Sequence, residues 1–324
     1  MGVLVACVVL FPVLFRTGYV LQFGINILLY AFCACAWNII GGYAGQLALG
    51  NGVYFGIGAF ISAVLFVYEG VSPWIGMLIA GLIAGLISLM IGSITFRLQG
   101  SYFALSTVAL LHVIRMLFVS NTYILGYKTN GALGLIIPWK GESFWNMQFL
   151  DKTWYYYIMF ALLVVGILIS RYISKSKMGY YLAAINTNPE AAGSLGVHVK
   201  GMKLQAGFIS AFLTAVAGTF YAMVIQVVDP TRVLGYDLSV QIMLYAVIGG
   251  RGTLWGPIVA AAIMAPLNDL LRASLGASMA GLSLVVYGLA LCLIIFFMPR
   301  GLWKPISQLL DKLFGNKKTE KKIA

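Results

Sequence analysis

Ten apolar runs, most of them near twenty residues long, follow one another along this chain with mostly short polar breaks between them. About twenty apolar residues is what a helix needs to cross the hydrocarbon core of a bilayer. In lipid the backbone must satisfy its own hydrogen bonds, which leaves helices or closed barrels. The runs fall at 2–15, 18–40, 52–69, 74–96, 102–120, 154–173, 205–228, 237–250, 254–272 and 281–298. Two of them, 2–15 and 237–250, are short. The pattern therefore predicts an all-α, polytopic transmembrane helical bundle of about 8–10 spans. Composition agrees: 61% of residues are hydrophobic and 9% charged, against roughly half and a quarter in soluble domains.

The longest polar island is Arg171 to Lys203. It carries five basic residues and one acid, Glu190. Basic loops stay in the cytoplasm. Fixing this loop inside and alternating outward puts fourteen basic residues inside and five outside, with both termini cytoplasmic. The net charge of +12 thus follows from sidedness and does not point to nucleic acid. The organisation expected is a transmembrane domain over 1–303, holding the cytoplasmic loop 171–203, and a basic tail over 304–324 drawn to anionic lipid heads. The four cysteines lie in apolar segments and behave as small hydrophobes. Leu4 to Cys7 has the look of a lipoprotein cleavage box, but the apolar run continues past it, which favours an uncleaved first span.

Within the island, Asn188 suits a helix N-cap, Pro189 the first helical position and Glu190 the first turn, with Gly196 as a stop. A short capped helix on the cytoplasmic side offers a soluble partner something to push on. Two glycine-rich stretches break the helical pattern elsewhere: 41–52, with Gly41, Gly42, Gly45, Gln46, Gly50 and Asn51, and 249–257, with Gly249, Gly250, Gly252 and Thr253. Two readings stand for them: tight turns at the cytoplasmic surface, or discontinuous helices lining a solute path. Five spans in each half would give an inverted repeat. The segment 121–153 is the longest outside loop, rich in Trp and Tyr, either a membrane-anchored loop or a ledge for an external partner.

Chemistry is sparse. There is no GxxxxGK[ST], HExxH or GxSxG motif and no metal-ligand cluster, so no catalytic or metal residue is expected. Charges within spans are His112 with Arg115 and Asp269 with Arg272, each pair three residues apart. No carboxylate falls clearly at the middle of a span, which argues for an external energy source over ion coupling. Small-residue stripes, Gly76, Gly81 and Gly85 on one span and Ala211, Ala215 and Gly218 on another, suit close helix packing.

Six stretches in order carry a resemblance: GGYAGQLALGNGVYFGIGAF at 41–60, RLQGSYFALSTVAL at 97–110, NGALGL at 130–135, the segment 184–222, VIGGRGTLWGPIVAA at 247–261 and FFMPRGLW at 296–303. Together they resemble the permease subunit of branched-chain amino-acid ABC importers, the LivM type. Asn51 and Ala48 stand where the family often has His and Ser, and basic residues common before the cytoplasmic helix are absent. The resemblance implies a non-enzymatic, multi-pass subunit in a bacterial inner membrane. It implies a heterodimer with a second, related permease, two cytoplasmic ATPases that hold ATP and magnesium, and an extracytoplasmic binding protein. The coupling helix would be Asn188, Pro189, Glu190, Ala191, Ala192, Gly193, Leu195 and Gly196, with Glu190, Ala191 and Ala192 at the ATPase contact. The implied cargo is leucine, isoleucine or valine. Urea, short amides or other amino acids remain alternatives, as does a stand-alone ion-coupled carrier.

Overall fold

The computed structural model describes residues 17–98, 100–124, 126–275, 280–298 and 301–305, with positions 12 and 308. Apart from position 12, the predicted span 2–15 and the box at Cys7 lie outside these residues, as does the tail from 309 onward.

The helices are α1 (Gly18–Asn38), α2 (Asn51–Tyr68), α3 (Pro73–Thr95), α4 (Ser101–Ser120), α5 (Lys152–Lys175), α6 (Lys177–Thr187), α7 (Pro189–Ser194), α8 (Val199–Ile225), α9 (Pro230–Val233), α10 (Tyr236–Gly250), α11 (Gly256–Leu275) and α12 (Ala280–Phe297). Among the described residues, seven stretches are long and apolar enough to cross a membrane: α1 with its continuation to Tyr43, α2, α3, α4, α5, α8, and α9 with α10 as Pro230–Gly250. Gly256–Leu271 is a shorter apolar helix, and α12 is eighteen residues without a charge. The span expected at 237–250 gains its length from the short helix and turn before it.

From Ala31 to Trp37 α1 is apolar around its whole circumference, and every residue from Ala31 to Asn38 is buried. It packs against α5, α8, α10 and α11, and Phe32, Trp37 and Ile39 are fully covered. α8 lies against α2 and α3. The two small-residue stripes explain how. Side chains of Phe212 and Phe208 sit where Cβ atoms on Gly81 and Gly85 would be. Added Cβ atoms on Gly58 and Gly218 would collide with the facing backbones at Ala215 and Phe55. These stripes are packing surfaces, as their spacing suggested.

The polar island is mostly helical. α5 runs to Lys175, α6 and α7 follow, and α8 starts at Val199, six residues before the predicted span, so Lys203 is a buried helical residue. At the opposite end, segment 121–151 folds back onto the bundle. β1 (Tyr123–Ile124) pairs with β2 (Tyr127–Lys128), and β3 (Leu135–Ile136) pairs antiparallel with β4 (Val227–Val228). Lys140 Nζ donates to Phe66 O at 2.8 Å while lying over the Phe66 ring, and Trp74 Nε1 donates to Phe144 O at 2.8 Å. The predicted anchored loop is thus a folded cap on the ends of α2 and α3.

Candidate functional site: two helix starts at half depth

α1 ends in a wide π-turn, Ile39–Tyr43. The chain reverses at Gly45, whose φ of +71° is open to glycine at little cost. It then climbs back beside α1 without helical structure: Gln46 N donates to Ile40 O at 3.1 Å, and the Trp37 indole donates to Ala48 O at 2.6 Å. Leu49 N donates to Thr107 Oγ1 at 3.1 Å. α2 therefore starts inside the bundle, level with the middle of α4. A Cβ on Gly52 would lie 3.2 Å from Leu111, near the midpoint of the twenty-residue helix 101–120. The stretch 41–52 therefore joins two helices through a reversal and an extended return that lies within the bundle.

The second interruption lies where no glycine-rich motif marked it. After α8 the chain pairs briefly with the cap as β4. Asp229 then caps α9, its Oδ1 accepting from Thr231 N at 2.8 Å. The segment descends beside α2. Added Cβ atoms would place Gly56 on Leu234 and put Gly52 2.9 Å from Gly235 O. α10 begins at Tyr236, whose ring stacks on His112 at 6.1 Å. Two helices thus start at half depth with their N-termini together, tied by Gly52 N donating to Ser239 Oγ at 2.7 Å. Interrupted helices pointing N-terminal ends at one place are how several transporters receive an anionic group at the midplane. The sequence reading found no carboxylate clearly at mid-span. The structure corrects this: Asp237, at the second position of α10, lies at that depth.

A cavity of about 30 Å³ opens beside the α2 start, lined in part by Asn51, Ser88, Thr95, Thr107 and Ser210. That volume has room for one or two waters. Asn51 Nδ2 and Ser210 Oγ, both buried, have no partner among the described residues. Phe96 and Phe103 also line it, stacked at 5.3 Å.

The second predicted motif, 249–257, does not join Gly50 and Asn51. It is a turn at the end of α10, pressed against the other half of the first motif. Asn38 joins the two: its Nδ2 donates to Thr253 O at 2.9 Å and its Oδ1 accepts from Gly252 N at 3.0 Å. Thr253 Oγ1 donates to Gly250 O at 2.7 Å, and Gly249 touches Gly256 too closely for a Cβ on either. Gly41 lies under the Trp37 ring, and Gly42 faces Asn38 and Gly252. So 249–257 is a tight turn, and Asn38, one of three amides in the run 18–40, was the signal missed.

α7 has the ends its sequence specified. Asn188 Oδ1 accepts from Glu190 N at 3.0 Å and Ala191 N at 3.1 Å. Gly196, at φ +86°, donates to Gly193 O, and Val197 N donates to Ala192 O, a Schellman ending. Ala192 is buried, whereas Pro189, Glu190, Ala191 and Gly193 are exposed and Leu195 is 86% exposed. The preceding helix is rooted in the first interruption: Asn186 Nδ2 donates to Gly42 O at 3.3 Å and its side chain lies over Gly45. Of the in-span charges, Asp269 accepts from Asn26 Nδ2 at 3.3 Å; the Arg272 side chain lies outside the described residues.

Many apolar spans, helix starts inside the bundle and a short capped helix at one end describe a multi-pass membrane protein. The family model described as branched-chain amino acid transport system / permease component matches residues 19–296, and the chain belongs to that family. It is 27% identical over 294 residues to the high-affinity branched-chain amino acid transport system permease protein LivM of Escherichia coli, covering 85% of this chain and 68% of that one. It is 24% identical over 279 residues to the probable branched-chain amino acid transport permease protein LivH of Methanocaldococcus jannaschii, covering 81% and 85%. The ribose import permease protein RbsC of Haemophilus influenzae is 26% identical over 202 residues, 60% of this chain and 58% of that one. No solved structure matches the chain.

Proposed function

We propose that this chain is one permease subunit of an ATP-driven importer of leucine, isoleucine and valine in a bacterial inner membrane. It works with a second, related permease, two cytoplasmic ATPases and an extracytoplasmic binding protein. The observation that carries the reading is α7: a short helix held at both ends, exposed, and connected through Asn186 to the reversal at Gly42–Gly45. When ATP closes the ATPases, α7 is displaced and α6 pulls on the carbonyl of Gly42. The extended segment 46–50 then shifts the start of α2 against that of α10. The two states differ in contact energy at α7, which any ligand-driven switch requires. Glu190→Arg or Gly193→Pro leaves insertion intact and uncouples ATP hydrolysis from uptake in proteoliposomes. Normal uptake with α7 so disrupted overturns the reading.

Asp237 at half depth favours a second reading, a stand-alone carrier coupled to an ion. Leucine uptake by this chain alone, driven by a proton or sodium gradient without ATP, selects it. Uptake of ribose in place of leucine by the full assembly changes the cargo and leaves the mechanism.

A further inference from the structure

At half depth the outer surface of the bundle carries groups that hydrocarbon does not accept. His112 and Asp237 are exposed, and Arg115 is partly so. Asp237 and Arg115 have no hydrogen bond or ion pair with any described residue, and His112 has only its ring contact with Tyr236. Arg115 lies five residues from the end of α4, and its side chain is long enough to reach either the interface or a partner beside Asp237. Asp237 and His112 are too short to reach the interface. The helix dipole explains an acid in the first turn of α10, but not an acid facing lipid. Intramembrane charges face protein or a water-filled path almost without exception. Among the described helices long enough to cross a membrane, α4 is also the least covered, with only Phe103, Thr107 and Leu111 buried.

We infer that the face formed by α4 and the start of α10 is one wall of the solute path, and that a second, related permease chain forms the other. This rests on the permease reading above. The patch carries both signs, so it suits an amphoteric solute whose ammonium group meets Asp237 and whose carboxylate meets Arg115. Exposed Ala109, on the same side of α4 as His112, lets a neighbouring helix come close. ATPases and a binding protein sit at the wrong depth to cover this patch. In a pair of identical chains, residues near the two-fold axis meet their own copies, which sets Asp237 by Asp237. A related chain offers a different residue there.

The test uses the full assembly, both permeases and the ATPases, in proteoliposomes, with Cys33, Cys35 and Cys292 replaced by Ser, and Cys7 likewise. Asp237→Cys is treated with a water-soluble cationic methanethiosulfonate and compared with Leu86→Cys on the lipid face of α3, which is 56% exposed. Labelling at least tenfold faster at 237, slowed by leucine, is the expected result. Ala109→Cys is expected to give a crosslinked product containing peptides of both permeases. If Asp237→Cys does not insert, Tyr236→Cys takes its place. Labelling no faster than at Leu86→Cys overturns the inference, as does a crosslink to an ATPase or to a second copy of this chain. These readouts need no ATP. If ATP-driven uptake works and labelling fails, only the wall is wrong; if no ATP-driven uptake occurs, the permease reading itself fails.

Discussion

The backbone N–H of Gly52 donates to the hydroxyl of Ser239 at 2.7 Å, across 187 residues of sequence and inside the protein. Each residue belongs to the first turn or so of a helix that starts at half depth. A helix start leaves N–H groups without partners, and at this depth water is scarce. Ser239 therefore supplies for α2 what a capping residue supplies at a surface helix.

Ser239→Ala leaves that N–H buried and unpaired. The expected cost is about 1–3 kcal/mol, read as a lower thermal midpoint of the detergent-solubilised protein. Ser239→Thr keeps a hydroxyl and should recover part of it. An unchanged midpoint for the alanine variant would mean that α2 needs no partner there.

Ser62→Ala should behave in the opposite way. Ser62 is fully buried and its Oγ has no partner among the described residues. Removing an unsatisfied polar group is neutral or stabilising, because its desolvation penalty disappears. The same assay on the two serine variants separates a working hydroxyl from an idle one. A loss at Ser62 comparable to that at Ser239 would show that Ser62 has a bond the structure lacks.

Asn38→Leu removes the clamp between the end of α1 and the turn after α10. Gly252 N–H and Thr253 C=O lose their partner; both bonds are only partly buried, so the cost is about 0.5–1.5 kcal/mol for each. The neighbouring Arg251 is exposed, so local opening has a direct readout. Limited trypsin digestion should cut after Arg251 faster in the variant. Equal rates would mean that the turn is held by Gly249 and Gly256 without Asn38.

The described spans and the short helix α7 were legible in the sequence because their signals are local. A twenty-residue apolar run needs no partner to be recognised, and Asn188-Pro189-Glu190 with Gly196 is a complete set of end signals in nine residues. The interruption before α2 was legible for the same reason, through Gly41 to Gly52. The one before α10 was not. Val227 to Leu234 has only one glycine beside it, Gly235, and its unwinding is fixed from outside, by pairing of Val227–Val228 with Leu135–Ile136. That pairing is about ninety residues away in the chain, and no local pattern reports it. The depth of Asp237 was hidden for this reason, since a span boundary read from apolar runs puts Asp237 at the rim.

Gly196 tests whether the order of α7 matters to coupling. Its φ of +86° suits glycine, and a side chain there costs roughly 1–2 kcal/mol. A Cβ at this position meets nothing within 4 Å, so the cost is conformational and steric effects drop out. Gly196→Val should loosen the helix end that positions Leu195. Asn188→Ala should loosen the other end by about 0.5–2 kcal/mol. Because α7 lies at the edge of the bundle, both variants are expected to insert normally and keep the thermal midpoint within a few degrees. Uptake per ATP hydrolysed should fall severalfold in each, and further in the double variant. A coupling ratio equal to the parent protein's in the double variant would show that the ATPases push elsewhere, and the exposed Leu195 would need another role.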